Sequence, residues 1–412
     1  MNDVLDRPLL ATSIADMRDP QYLTEPQSLF RRLRADGRVH RDTLGLWLLL
    51  GHADCRAAMQ SPRLSRDPRQ WRPYATVRPY LAESFLEQTV ERFMLMRDAP
   101  FHTQIRGLMG AAFTPAAVRA MREQIAATCN RLVAALPADR PFDVLQELAQ
   151  PLPVQVICDV LGIPPDATAQ TRQWSEALAL VVEPVARREL RRASDSAARE
   201  LADYMAGQVA RHRVRPSDSM LDLLIAGQRD EPSISDEDLL ANLVLLFIAG
   251  HETTTNLIGN GLYRLLTEGD ALEQLRADPG LMSTAIDEML RYDSPVTVVA
   301  RVTREPWVIG DLTIPPGEML YCMTGAANHD PAVFQAPERF DIRRSPNPHL
   351  SFGGGVHYCI GAPMARLEAQ LAFASLFERF AHLRLAKPEV CWRPLVNLRG
   401  LTALWVSAPA SH

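Results

Sequence analysis

The residues best suited to chemistry lie in Ser351-Phe-Gly-Gly-Gly-Val-His-Tyr-Cys-Ile-Gly361. Three consecutive glycines let a backbone bend tightly and approach another group closely. A helical pattern follows over residues 362–380, with Pro363 tolerated in its first turn. Cys359 therefore stands at a helix N-terminus, where free N–H groups and the positive dipole end stabilise an anion. Its thiol pKa is expected to fall. A thiolate presented this way is a soft metal ligand or a nucleophile. The spacing argues against several other chemistries. Tyr358 stands where a dinucleotide-binding GxGxxG needs glycine, and Thr255 stands where His251-Glu252 would need histidine to make HExxH. A Gly-Lys-Ser/Thr phosphate loop is absent, and no second Cys or His has zinc-site spacing around Cys359.

Something must position that cysteine, and one helix stands out. Ser235 with Asp238 resembles a capping box with Asp in place of Glu, and Gly269 lies just past the end. Asp236–Thr267 would span 32 residues, about 48 Å at 1.5 Å per residue. Its segment 243–249 is apolar all round, which predicts burial on every side. The next residues, Gly250-His-Glu-Thr-Thr-Thr255, are polar, and polar groups in a core need a reason. A thiolate ligand supplied alone points to a metal whose other ligands are not protein, which fits haem.

The 412 residues are 47% apolar and 23% charged, with net charge −5. That is ordinary globular composition, and its balance argues against a protein built mainly to bind nucleic acid. Length alone suggests two or three domains. Six cysteines, none in a CxxC pair, predict a reducing cytoplasm rather than a disulfide scaffold. Cys55, Cys129, Cys158, Cys322 and Cys391 are expected to pack as small apolar residues. Residues 1–13 carry no apolar run of signal-peptide length, and no 20-residue apolar segment occurs, so the protein is expected to be soluble and off the membrane. Helical patterns dominate, with β-like segments near residues 46–50, 296–302, 307–314 and 398–406. Residues 62–79 read as a structured, proline-rich loop, and residues 213–218 as a break between helices. Arg187, Arg188, Arg191 and Arg192 read as a solvated helix face.

The glycine–cysteine segment resembles the signature of the cytochrome P450 family, in its soluble bacterial form. Phe352, Gly353, Gly355, His357, Cys359 and Gly361 match every fixed position of Phe-Gly-x-Gly-x-His-x-Cys-x-Gly. Glu288 and Arg291 resemble the family's ExxR pair, one turn apart on one helix face. Pro337-Glu-Arg-Phe340 resembles the segment that gives the pair a third member, here Arg339. Ala249-Gly-His-Glu-Thr253 resembles the oxygen-activation motif. In it Gly250 lets the helix pass close to a ligand, while Glu252 and Thr253 form an acid–alcohol pair suited to moving protons. His102 and Arg106 match the family's propionate-binding His-x-x-x-Arg, although Ala99 and Phe101 depart from the usual pattern before it. Arg301 and His349 match the remaining propionate partners.

The resemblance covers about residues 19–406. It implies a mainly α fold with small β-sheets, one domain spanning 1–412 around a buried haem b, with residues 1–18 a loosely ordered N-terminal segment. Cys359 would be the iron ligand, with Phe352, Gly353, Gly361, Ala249 and Gly250 against the cofactor. The implied activity is O2-dependent hydroxylation or epoxidation of an apolar small molecule, a secondary metabolite such as a polyketide, macrolide or terpenoid. Electrons would come from a ferredoxin or flavodoxin fed by an NAD(P)H reductase, docking near Arg106 and Arg366. The protein would be a cytoplasmic monomer. The substrate pocket would draw on Trp71, Met94, Met96, Leu245, Ala249, Thr297, Val299 and Leu398, and on the region 178–185. A peroxide-using, desaturating or coupling relative, and a catalytically silent haem sensor, are the alternatives.

Overall fold

The Ser235 hydroxyl accepts the Asp238 N–H at 3.1 Å, and the Asp238 carboxylate accepts the Ser235 N–H at 3.2 Å. This reciprocal cap starts a helix over Asp236–Thr267, the bounds that the sequence predicts. Residues 241–248 and 254–262 of it are buried. It packs against the helices Pro151–Leu161, Arg188–Val214, Met282–Tyr292 and Ala362–Arg379. Two glycines allow the close approach. A Cβ at Gly259 would lie 2.3 Å from a Leu145 methyl, and one at Gly261 would lie 2.5 Å from the Met289 sulfur.

The computed structural model describes residues 14–81, 84–110, 113–164, 168–178 and 188–408. The pocket-lining expectation for residues 179–185 lies outside these, as do Arg187 and the side chains of the arginine-rich stretch that follows it. Of the N-terminal segment expected to be loose, residues 1–13 also lie outside. Ile14–Arg18 forms a short 3-10 turn, with Ile14 buried and its N–H bonded to Asp42.

Helices surround three small sheets, as the residue patterns predict. The largest orders its strands Val39–Arg41, Trp47–Leu49, Met319–Cys322, Val299–Thr303 and Leu64–Ser65. Among the described residues its pairings are antiparallel except that between Trp47–Leu49 and Met319–Cys322. The run 46–50 is apolar throughout because both faces are covered. Trp47 and Leu49 join one core cluster, and Leu46, Leu48 and Leu50 join another. Trp307–Ile309 and Leu312–Ile314 form a hairpin turning at Gly310 (φ +58). Phe142–Asp143, Trp405–Ser407 and Arg384–Leu385 make the third sheet. Two predicted strands are shorter than their patterns. Val296 makes a lone bridge to Leu398, and the Thr297 N–H goes to the Asn397 carbonyl, so these segments pair with each other before the sheets begin.

Glu288 and Arg291 are fully buried and joined by two bonds of 2.7 and 2.8 Å. The third cation is Arg344, not the predicted Arg339. Arg344 Nε lies 3.1 Å from Glu288 Oε2, whereas Arg339 contributes only its carbonyl, to Arg291 and Arg344, and its side chain is exposed. The Pro337–Phe340 turn presents its backbone inward, which places Arg339 outward. Breaking a buried pair strands the remaining charge. Arg344→Ala is therefore expected to cost about 3 kcal/mol of unfolding free energy, and Arg339→Ala less than about 0.5. Urea denaturation measures both, and equal losses would restore Arg339 as the third member.

Glu368, on the helix Ala362–Arg379, is also buried, and burial pushes its carboxyl up to about 8. The native state then binds this proton more tightly than the unfolded chain, where Glu titrates near about 4.3. The contribution to stability is complete below that unfolded value and is lost as pH rises towards the folded one, by at most about 1.4 kcal/mol per unit. Thermal midpoints of the wild type should fall across this window relative to Glu368→Gln. Parallel curves would exclude a protonated Glu368.

Candidate functional site

The cysteine loop is seated by its backbone. The Cys359 N–H donates to the Phe352 carbonyl at 2.9 Å, closing the loop. Gly353 and Gly355 turn it with φ +70 and +66. A Cβ at Gly355 would lie 2.6 Å from the Met59 carbonyl, so the loop presses directly on the end of the helix His52–Gln60. The side chain of Asn328 bonds both the Leu350 N–H (2.7 Å) and the Ser351 hydroxyl (2.9 Å), and that hydroxyl donates to the Leu290 carbonyl at 2.6 Å. Cys359 thus arrives just before the helix Ala362–Arg379, with Gly361 as its N-cap. A Cβ at Gly361 would stand 4.0 Å from the Cys359 sulfur.

The cysteine carries accessible surface, yet the protein around it desolvates the thiol and pushes its pKa up. The Gly361 N–H, Arg106, the Ala362 N–H and Arg366 pull the other way. The fall expected from the helix N-terminus is thus present as an opposing influence but does not dominate. Desolvation disfavours the charged form more than these groups favour it.

The neighbouring central helix opens at the polar motif. Ala249 and Gly250 are exposed and Thr253 is half-buried, between two buried stretches. A Cβ added at Gly250 would meet nothing within 4 Å. Open space therefore adjoins this one turn of a core helix. The Thr253 hydroxyl donates to the Ala249 carbonyl at 2.8 Å. Glu252 points elsewhere, and its carboxylate accepts from Arg393.

A cluster of basic side chains is short of negative charge. The rings of His102 and His357 lie 4.1 Å apart, centre to centre. Arg301 is 2% exposed, and its guanidinium donates to the carbonyls of Ala300 and Met59. Arg66 donates to the carbonyls of Leu95 and Ala300. Asp98, which accepts the Arg66 N–H, is shared with Ser65 and Arg304. Each group disfavours the charge of the others. Burial, then His102, Arg66, Arg301 and Arg106, push His357 down to about 2. Burial and then Arg301 push Arg66 down to about 9. Buried cations facing carbonyl dipoles fit an anion that neutralises them. A thiol on a helix N-terminus, an open turn in a core helix and this cluster together fit haem, with iron on sulfur and propionates on the cations.

The sequence model of the family described as Cytochrome P450 matches residues 72–391. The chain belongs to the cytochrome P450 family. The polyketide biosynthesis cytochrome P450 PksS of Bacillus subtilis is 35% identical, over 94% of this chain and 96% of that protein. The cytochrome P450 monooxygenase PikC of Streptomyces venezuelae is 36% identical, over 93% and 91%. The structure of P450BioI in complex with an acyl carrier protein ligated with hexadec-9Z-enoic acid superposes with TM-score 0.88 at 33% identity, covering 94% of this chain and 99% of that one. This P450 is accordingly a monooxygenase of a family that uses haem and O2. Among its described residues no helix is long and apolar enough to cross a membrane.

The other expected site residues fall in different places. His102 and Arg301 join the cationic cluster. His349 instead lies 3.4 Å from Asp287 and against the Phe352 ring, so this P450 does not bring it to the cluster. Arg106 donates to the Tyr358 carbonyl at 2.6 Å, beside the cysteine, and Arg366 pairs with Asp287 at 2.9 Å while lying over Phe352. Of the expected pocket residues, Met94, Leu245 and Leu398 are buried in packing. Trp71, Met96, Ala249, Thr297 and Val299 retain access, although the Thr297 hydroxyl is tied to the carbonyls of Val396 and Asn397. Arg66 and Arg393 were invisible as site residues, since nothing local distinguishes either among 44 cationic side chains. His357 was visible only as a motif letter.

A charge-assisted hydrogen bond contributes about 1.5–3 kcal/mol, or roughly ten- to a hundredfold in affinity. Arg301→Gln is expected to speed haem loss to apomyoglobin by that factor. His349→Ala should leave the rate within about threefold, and equal effects would put His349 back among the propionate partners.

Proposed function

We propose that this P450 binds haem b through Cys359 and hydroxylates or epoxidises an apolar secondary metabolite of the polyketide, macrolide or terpenoid kind. The chain acts as one domain over residues 1–412, in the cytoplasm, as a monomer. A ferredoxin or flavodoxin with an NAD(P)H reductase supplies its electrons. The observation that carries the reading is the opening at Ala249, Gly250 and Thr253 in the buried middle of the central helix. It offers space for a ligand beside a hydroxyl. The relative named for polyketide biosynthesis supports the substrate class.

Bound haem supplies the iron at which dioxygen is activated, and electron donation from a thiolate favours O–O cleavage. The protein's own part is binding, orientation and proton supply. His102, His357, Arg66 and Arg301 would hold the propionates and so be relieved of mutual repulsion. Gly361 and Gly355 keep side chains out of the way of the sulfur and of Met59. Thr253 can give up its bond to Ala249 and hold a water in the opening, while the apolar walls exclude bulk solvent. Glu252, one residue away, exchanges the proton.

The reduced, carbon-monoxide-bound spectrum tests the ligand. The wild type should show a strongly red-shifted Soret band that Cys359→His loses. No such band from a haem-loaded wild type would remove the thiolate and the oxygenase reading with it. Thr253→Ala should retain the band, yet divert most of the NAD(P)H consumed to hydrogen peroxide. Unchanged coupling in that variant would take Thr253 out of the proton path.

A further inference from the structure

The central helix carries a buried polar stripe that begins at Glu252 and runs on beyond the site described above. Glu252, Asn256 and Asn260 recur every fourth residue, and all three are buried. The stripe faces the segment 392–400. Arg393 donates to Glu252 Oε2, and Asn260 Nδ2 donates to the Arg399 carbonyl at 3.0 Å. Asn256 lies flat on Gly400, where a Cβ would come within 2.0 Å of its Oδ1. At the far end Arg264 and Arg399 clasp the two oxygens of Asp293 at 2.6 and 2.7 Å.

Three buried polar atoms of this stripe and the segment it faces, Asn256 Nδ2, Asn260 Oδ1 and Arg399 Nη2, have no hydrogen-bond partner among the described residues. Such atoms are where internal water binds. A cleft opens on the outer side of the same segment, lined by Tyr22, Gln27, Ser294, Arg393 and Arg399 among others. In its wall Gln27 Oε1 is likewise buried without a partner among the described residues. The Arg393 side chain is 28% exposed and that of Glu252 is 5%. Their ion pair therefore spans the wall between cleft and core.

We infer that this cleft is where Glu252 takes up protons, and that Arg393 is a positioning residue holding the Glu252 carboxylate on the cleft side. The inference rests on the reading of Glu252 and Thr253 as the proton path. A hydrated proton in the cleft passes to Glu252, whose charge and whose ion pair with Arg393 are lost together. The neutral carboxyl, released from Arg393, then turns along the helix and gives the proton to a water held by Thr253. The regenerated carboxylate returns to Arg393, so one proton enters and one leaves. His251, the titratable neighbour, does not compete. Burial, reinforced by Arg172 and Arg393, pushes it down to about 4 and keeps it neutral.

The test compares holoenzymes of wild type, Arg393→Gln, Arg393→Lys and the double variant Arg393→Gln/Glu252→Gln. A buried carboxylate deprived of its guanidinium takes up a proton. Arg393→Gln should therefore show, beyond any band from Glu368, an additional infrared stretch of a protonated carboxyl at neutral pH that the wild type and the double variant lack. In turnover it should lose roughly tenfold in kcat with little change in KM, and gain a larger solvent deuterium isotope effect. Arg393→Lys should recover most of both. A carboxyl band with kcat and isotope effect unchanged would make the pair structural and overturn the proton entry. No band would overturn the positioning role. Should the wild type couple no dioxygen to product, the oxygenase reading fails, and the infrared band alone decides whether Arg393 holds the Glu252 charge.

Discussion

Withdrawing a carboxylate and two guanidiniums from water costs several kcal/mol per ion unless every remaining donor and acceptor is met. Around Glu288 and Arg291 that condition draws distant segments together. Arg291 gathers the carbonyls of Asn328, Pro337 and Arg339. Glu288 accepts from the Asp341 N–H, Arg344 and the Asn347 amide. The same helix, Met282–Tyr292, supplies the Leu290 carbonyl for Ser351 at the root of the cysteine loop. The long irregular stretch from Asn328 to Ser351 is thereby given one conformation, and Cys359 inherits its position from it. The pair acts on chemistry only through this placement.

The site then makes the opposite bargain. The fold keeps His102, His357, Arg66 and Arg301 together with carbonyls for company, which is unfavourable for the protein alone. A ligand that neutralises such a cluster binds the folded chain and not the unfolded one, and so adds to stability by mass action. Cofactor retention and folding are in this way two readings of one charge imbalance. Desolvation of Cys359 works in the same sense, because a metal favours the thiolate that burial resists.

Local signals carried much of this into the sequence. The cap at Ser235 and the apolar run behind it bounded the central helix, and the glycines located the cysteine loop, because both are decided by neighbours within a few residues. What the sequence hid was pairing across the fold. Arg344 rather than Arg339 completes the buried triad, since a turn that offers its carbonyls inward must turn its side chain outward. His349 meets Asp287 instead of the cluster, and Arg393 reaches Glu252 from far along the chain. An arginine's partner is set by the packing of separate elements, which no spacing in the chain encodes.

The glycines of the central helix divide it for anyone wishing to change what the protein accepts. Gly250 borders free space, whereas Gly259 and Gly261 are wedged against Leu145 and Met289. Additions of volume at the first would be felt by whatever lies in the opening and by little else. The same additions two or three turns later would be felt by the whole helical assembly. The open turn that fits the cofactor and the wedged turns that hold the fold are thus borne by separate halves of one rod.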